Sequence, residues 1–207
     1  MRNSTPSILL ATSNQNKIRE LKAILSPLGL PLVALADLKE SWPVPIENGQ
    51  DFLANALIKA RYYAEKSGLA ALADDSGLMV KALGGAPGVY SARYGGEKLK
   101  GLTKKEYLLQ ELAGVTDRRA KFKAVLVLAK PDGSSLDWSG ELKGEIALEL
   151  RGTLGFGYDP IFIEPKSGLT LAQMSLEEKN HLSHRARAGE ALGRDLEKII
   201  AFLSETA

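Results

Sequence analysis

The fold is decided by the stretch Leu69-Ala70-Ala71-Leu72-Ala73-Asp74-Asp75-Ser76-Gly77. An apolar run of this length, bounded by turn residues, predicts a buried strand. Side chains alternate between the faces of a strand, so at most one of the two carboxylates points the same way as Leu72. Two adjacent carboxylates are costly to hold together unless a cation compensates them. The stretch is therefore consistent with a metal and phosphate site, or with a polar turn between two strands.

Strands and amphipathic helices are predicted on both sides of this stretch. The patterns give strands at 7–11, 32–35, 69–74, 78–82, 121–129, 135–150 and 161–163, and helices at 18–25, 51–67, 103–112 and 183–203. This mixture is typical of an α/β fold. Possible hairpins near residues 130–145 favour a mixed rather than a purely parallel sheet. With no repeat and no disordered linker, residues 1–207 are expected to form a single domain of one or two lobes.

Composition excludes several classes of function. The net charge of +2 is too small for nucleic-acid binding to be a main function. There is no cysteine, which excludes disulfides, thiolate catalysis and cysteine-based zinc sites and fits a reducing compartment. The first residues lack the apolar core of a signal peptide, and no apolar stretch approaches the roughly 20 residues that span a bilayer. We expect a cytoplasmic protein with no membrane partner.

The segment Thr12-Ser13-Asn14-Gln15-Asn16-Lys17 connects a predicted strand to a predicted helix. A helix N-terminus offers unpaired N–H groups and a partial positive charge, both of which suit phosphate. Lys17 lies in the first helical turn, where a cation opposes the helix dipole, so an anionic partner would favour that position. The alternative is a solvated lysine. The phosphate-binding P-loop pattern is absent.

Two further segments carry groups that suit a nucleotide. The first is Gly155-Phe156-Gly157-Tyr158-Asp159-Pro160, whose glycines allow a flat ligand to approach an aromatic ring closely. The second runs from Glu178 to Ala188 and places His184 and Arg185 in the first turn of the last predicted helix. Cations there are again unfavourable unless they meet an anion. The structural alternatives are a tight loop with a buried Phe156 for the first segment and, in the second, a His181 that is only a surface residue.

Taken together and in order, these segments resemble the inosine/xanthosine triphosphate pyrophosphatase family, and the resemblance covers nearly the whole chain. The segments are 12–17, 51–60, 74–78, 84–94, 155–162 and 183–185. Each motif alone is weak, whereas their order is highly specific. The resemblance implies a two-lobed α/β fold, with a long mixed sheet, flanking helices and a cleft between the lobes. It also implies a Mg²⁺-dependent homodimer that hydrolyses ITP, dITP and XTP to the monophosphate and pyrophosphate, which removes non-standard purines from the nucleotide pool.

The resemblance also implies a role for each matching residue. Glu47 and Asp75 would hold Mg²⁺, and Asp75 would be the proton acceptor. The phosphate contacts would be Thr12, Ser13, Asn14, Gln15, Asn16, Lys17 and Lys59, and Ser76 would be a further substrate contact. The residues around the base and sugar would be Phe156, Gly157, Tyr158, Asp159, Lys179, His184 and Arg185. The division of work between Asp74 and Asp75 stays open.

The assignment agrees with the chemistry of the reaction. Hydrolysis at the α-phosphorus needs a positioned water and neutralisation of charge on the leaving pyrophosphate. Mg²⁺ prefers oxygen ligands and keeps several waters, so two carboxylates and phosphate oxygens suffice. Inosine and xanthine carry a 6-oxo group, for which we expect Arg185 and backbone N–H groups near Phe156 to be donors.

Three other readings compete with this one. A related pyrophosphatase could act on modified pyrimidine or methylated nucleotides, but Ser183-His184-Arg185 belongs to the purine pattern. A nucleotide sensor without catalysis would not need Glu47, Asp74 and Asp75 together. A nucleic-acid-binding module is disfavoured because the chain has no basic stripe.

Overall fold

The computed structural model describes residues 6–205, and its strands form one mixed sheet. The strands are β1 (Ile8–Leu10), β2 (Leu32–Ala34), β3 (Ala70–Val80), β4 (Arg119–Ala129), β5 (Ser135–Ile146) and β6 (Phe162–Ile163), in the order β2-β1-β3-β4-β5-β6. β1 pairs in parallel with β2 and with β3, whereas β5 and β6 are antiparallel. This confirms the predicted α/β fold with a mixed sheet.

Within residues 6–205, six α-helices lie between the strands or after them along the chain. They are α1 (Gln15–Leu25), α2 (Phe52–Ser67), α3 (Lys104–Glu111), α4 (Leu176–Leu182), α5 (His184–Arg194) and α6 (Leu196–Ser204). α2 matches its prediction because both of its ends are encoded locally. The Asp51 carboxylate accepts the N–H of Ala54 at 2.8 Å, and Gly68 ends the helix in the left-handed conformation. α3, predicted over 103–112, opens with a capping box formed by Thr103 and Glu106.

The acid pair lies within a strand, and this corrects the sequence prediction. We expected one strand to end at Asp74 and another to begin at Leu78, but β3 continues without a break from Ala70 to Val80. A central strand tolerates these carboxylates because buried cations compensate them, as the site shows below. The reading as a turn between two strands is therefore wrong.

The C-terminal helix is also interrupted where the sequence predicts one continuous helix over 183–203. Ser183 is extended, with φ −65° and ψ 161°, and ends α4 directly before α5. A second interruption occurs at Asp195, whose carboxylate accepts the indole N–H of Trp138 at 2.9 Å. Both interruptions are set by contacts and conformations that helical periodicity does not encode.

The chain divides into two compact units, each with a core of its own. The first unit comprises residues up to Asp75, 124–140 and those from Arg185 onward, and the second comprises 76–123 and 141–184. The core of the first unit includes Leu10, Leu21, Leu25, Leu72, Leu126, Leu192 and Ile199. That of the second includes Leu78, Val80, Leu108, Phe122, Leu142, Phe162 and Met174. Within residues 6–205, no helix is long and apolar enough to cross a membrane.

Two glycines of α5 give a matched test of packing in the first unit. A Cβ at Gly189 would lie 2.3 Å from the Ile24 Cγ2 atom of α1, whereas one at Gly193 would lie 3.2 Å from Leu28 Cδ2. We expect Gly189→Ala to lower the free energy of unfolding by ~1–3 kcal/mol through overpacking. Gly193→Ala should be neutral or stabilising, because alanine is the better helix former. Urea denaturation measures both, and equal effects of the two substitutions would contradict this packing.

Candidate active site

Strand β3 separates the two adjacent carboxylates onto opposite faces. Asp74 follows Leu72 on the face of the first unit's core, and its side chain is only 1% exposed. The Arg185 Nε–H donates to Asp74 Oδ2 at 2.8 Å, and the same guanidinium forms an ion pair with Glu20 of α1. Burial alone would raise the pKa of Asp74, but the charges of Arg185 and Lys17 outweigh burial and hold it well below its usual value. Asp74 is therefore a permanent anion.

Lys17 joins this buried group from the first turn of α1. The helix begins after Asn14, whose side chain accepts the N–H groups of Asn16 and Lys17. The Lys17 Nζ atom lies 3.5 Å from Asp74 Oδ2 and donates to the Asp74 backbone carbonyl at 3.2 Å. Burial lowers the pKa of Lys17, and Asp74 opposes that shift. The predicted need of this lysine for an anionic partner is thus met in part by the protein itself.

Asp75 meets a different lysine on the other face of β3. The Lys59 Nζ atom of α2 donates to Asp75 Oδ1 at 2.8 Å, to Glu47 Oε2 at 3.0 Å and to the Asp74 carbonyl at 3.1 Å. Burial raises the pKa of Asp75 and outweighs the opposing charge of Lys59. A carboxylate whose pKa lies closer to neutrality is a stronger proton acceptor.

Charged side chains of both signs meet in this part of the first unit. The carboxylates of Glu20, Glu47, Asp74 and Asp75 face the cations of Lys17, Lys59 and Arg185. Because low-dielectric surroundings screen charges poorly, these buried groups interact more strongly than they would in water.

The donor set here fits Mg²⁺ with few protein ligands. Asp75 Oδ2 is buried and accepts no hydrogen bond among the described residues, and Glu47 and Asp75 share the Lys59 ammonium group. Across residues 6–205 there is no cluster of three or more histidine, aspartate or glutamate side chains arranged as a metal site. A site of two carboxylates suits Mg²⁺, which keeps several waters and takes phosphate oxygens as ligands.

A second group of predicted residues lies in the second unit. The Lys179 Nζ atom forms a buried ion pair with Asp159 Oδ2 at 2.6 Å and lies 4.7 Å from the centroid of the Phe156 ring. The backbone N–H of Phe156 also donates to Asp159 Oδ2, at 2.7 Å. Gly155 has φ +72°, and a Cβ there would lie 2.2 Å from that same oxygen. The glycine thus allows Asp159 to fix the Phe156 loop and to hold a cation beside its ring.

The neighbouring aromatic residues are held by contacts within the same unit. The Tyr158 hydroxyl donates to the Ser91 carbonyl at 3.1 Å, and the Ser91 hydroxyl accepts the N–H of Leu78 at 2.9 Å. The His184 ring stacks on Phe122 with centroids 4.7 Å apart. This loop therefore rests on a rigid support.

The predicted site residues fall into these two groups. Thr12 to Lys17, Glu47, Lys59, Asp75 and Arg185 lie in the first unit, and Ser76, Phe156, Gly157, Tyr158, Asp159, Lys179 and His184 lie in the second. Ser13, Asn14 and Gln15 are exposed, as a ligand-binding loop requires. Arg185, in contrast, is only 1% exposed and is held by Asp74 and Glu20. That placement favours a role in holding Asp74 over donation to a base.

Sequence reasoning missed two buried polar residues of these groups. Glu20 is the second partner of Arg185, and Ser91 supports Tyr158. A signal for Glu20 was present, because it lies three residues after Lys17 and so shares that face of α1. Ser91 gives no such signal, since its partners Leu78 and Tyr158 are distant in sequence.

Together, the fold and the sites define an α/β protein with a buried carboxylate–lysine cluster suited to a cation and a phosphate. The chain belongs to the Ham1 family, whose model matches residues 8–194. It is 51% identical to the dITP/XTP pyrophosphatase of Thermus thermophilus over 89% of each chain, and 47% identical to that of Haemophilus influenzae over 87% of this chain and 94% of the relative. The solved Ham1 protein of Staphylococcus aureus is 40% identical, with a TM-score of 0.81 over 93% of this chain and 99% of the other.

Removal of the Asp74 carboxylate tests the buried ion pairs. Asp74→Ala leaves the Arg185 guanidinium buried with one of its two anions, so we expect the free energy of unfolding to fall by ~3–5 kcal/mol. Asp117→Ala is the control, because it removes an exposed pair with Arg119 and should change stability little. Urea denaturation of both variants measures the difference. An equally small loss for Asp74→Ala would show that the buried pair does not stabilise the fold.

Proposed function

We propose that this protein is a Mg²⁺-dependent nucleoside triphosphate pyrophosphatase that hydrolyses ITP, dITP and XTP to the monophosphate and pyrophosphate. The observation that carries the proposal is the buried Asp75 carboxylate, which shares Lys59 with Glu47 and keeps one oxygen without a hydrogen bond among the described residues. The names of the relatives, dITP/XTP pyrophosphatases, support the substrate class.

The first turn of α1 is the proposed triphosphate site. It contains no acidic side chain, and the residues before it, Ser13 and Asn14, are exposed. The positive end of the helix dipole would therefore favour an anion, with no acidic side chain in the first turn to compete for it. Lys17 would add a cation to that site, although Asp74 already neutralises part of its charge.

Glu47 and Asp75 are the residues that would hold Mg²⁺. The bound ion supplies charge neutralisation on the pyrophosphate and acidifies a coordinated water. Lys59 keeps both carboxylates in place, since its ammonium group donates to each. Asp75 would accept the proton of the attacking water, while Asp74 stays fixed on Arg185.

The loop at Phe156 is the proposed base site. Its ring offers a flat surface for a purine, and Lys179 is held beside the ring by Asp159. Lys179 and the rigid loop are the groups best placed for the 6-oxo oxygen that distinguishes hypoxanthine and xanthine from adenine. Arg185 contributes indirectly, through Asp74.

We also infer a homodimer in the cytoplasm, from the family resemblance and the absence of cysteine. Light scattering should give twice the 22.3 kDa chain mass, and cell fractionation should recover the protein with cytosolic markers. A monomeric mass would refute the dimer.

The substrate class is tested by pyrophosphate release from ITP, XTP, dITP, GTP and ATP, each with Mg²⁺ and with EDTA. We expect Mg²⁺-dependent release from the first three substrates and release at least about tenfold slower from GTP and ATP. A tenfold rate ratio corresponds to a difference of ~1.4 kcal/mol in activation free energy. Release from ATP at an equal rate would refute the proposed selectivity for ITP, XTP and dITP over ATP. No release from any of them would favour the modified-pyrimidine or sensor alternative.

The role of Asp75 is tested by Asp75→Asn. This variant keeps the shape of the side chain and removes its ability to accept a proton, so we expect turnover of ITP to fall by at least 10³-fold, within the ~10²–10⁴-fold range of acid–base catalysis. Its urea midpoint should stay near that of the wild type, because Lys59 keeps Glu47 and the Asp74 carbonyl. Asp137→Asn, on the exposed face of β5, is the matched control. A near-normal rate for Asp75→Asn would sink the assignment.

A further inference from the structure

The segment that carries Glu47 is poorly fixed by core packing. Residues 39–50 form no helix or strand, and Val44 and Ile46 are 69% and 82% exposed. Within the described part of the chain, two hydrogen bonds tie this segment to the rest, and both lead to α2. One joins the Lys59 ammonium group to the Glu47 carboxylate, and the other is donated by the backbone N–H of Gly49.

That backbone contact is made by Asn55, a side chain that is 1% exposed. Its Oδ1 atom accepts the N–H of Gly49 at 2.8 Å. A Cβ at Gly49 would lie 2.7 Å from both the Ala54 Cβ atom and Asn55 Oδ1, so only glycine lets the backbone come this close. A buried amide acceptor is costly to leave unpaired, which makes this an energetically specific anchor.

Asn55 and Lys59 lie one turn apart on the same face of α2. Asn55 fixes the backbone two residues beyond Glu47, and Lys59 holds the Glu47 carboxylate. Helix α2 therefore holds residues 39–50 by two hydrogen bonds. An exposed segment held by the ion pair alone would sample many positions, because long side chains rarely fix a backbone by themselves.

We propose that Asn55 is a positioning residue for the metal site: its bond to Gly49 holds residues 43–50 so that Glu47 presents its carboxylate beside Asp75. The inference rests on the proposed function, in which Glu47 is a Mg²⁺ ligand. Groups that orient metal ligands typically contribute 10–100-fold to metal affinity, and Asn55 orients this ligand through the backbone.

The test compares Asn55→Ala and Gly49→Ala, which break the same contact from its two sides, with Asn48→Ala as control. Asn48 is an exposed asparagine of the same segment and makes no described hydrogen bond. Two quantities are measured: deuterium exchange of the residue 49 amide in the metal-free protein, and the Mg²⁺ concentration that gives half-maximal pyrophosphate release from saturating ITP.

We expect both anchor variants to speed exchange of the residue 49 amide at least tenfold and to raise the half-saturating Mg²⁺ concentration at least tenfold, with a smaller effect on kcat. Asn55→Asp keeps an acceptor oxygen and should restore slow exchange. Asn48→Ala should match the wild type. Wild-type exchange and Mg²⁺ dependence in both anchor variants would overturn the inference, as would a fall in kcat with unchanged Mg²⁺ dependence.

The two measurements separate this inference from the proposed function. If the wild type released no pyrophosphate, the proposed function would fail, yet exchange in the metal-free protein would still show whether Asn55 holds the segment. If Asn55→Ala failed to fold, Gly49→Ala would decide, because its substitution lies in the segment itself and leaves α2 intact.

Discussion

The buried Asp74 carboxylate is the constraint on which the site depends. An ionised carboxylate that is 1% exposed is stable only if cations and hydrogen bonds replace the lost water. Arg185 supplies most of this compensation and is itself fixed by Glu20, while Lys17 contributes a weaker contact. The ion pairs thus join α1, β3 and the start of α5, three elements far apart in sequence.

Under the proposed function, this constraint leaves Asp75 as the carboxylate that would accept the proton. Because Asp74 is committed to Arg185, the strand presents its second carboxylate on the opposite face, where Lys59 meets it. The Asp74 backbone carbonyl accepts from both Lys17 and Lys59, so the two lysines are held at a common point. In the proposed function, the adjacent aspartates therefore have different roles: Asp74 holds the ion pairs, and Asp75 would face the metal and the water.

The sequence predicted features that depend on neighbouring residues and missed features that depend on residues far away in the chain. Helix α2 was predicted correctly from its amphipathic pattern, and its ends are set by Asp51 and Gly68, which act within one helical turn. The continuation of β3 through Asp75 to Gly77 was not predicted, because the cations that compensate its carboxylates lie elsewhere in the chain. The break at Asp195 depends likewise on Trp138. The candidate site residues were predicted through the order of their motifs. The pairing of Glu20 with Arg185 needed the structure, since the two are 165 residues apart.

The division of roles between the two aspartates is tested most directly by a crystal structure with Mg²⁺ and an α,β-imido analogue of ITP, which resists hydrolysis at the reacting bond. The account predicts that Glu47 and Asp75 bind the metal while Asp74 stays on Arg185. Mg²⁺ bound by Asp74, or an Arg185 guanidinium that leaves Asp74 to contact the base, would contradict it.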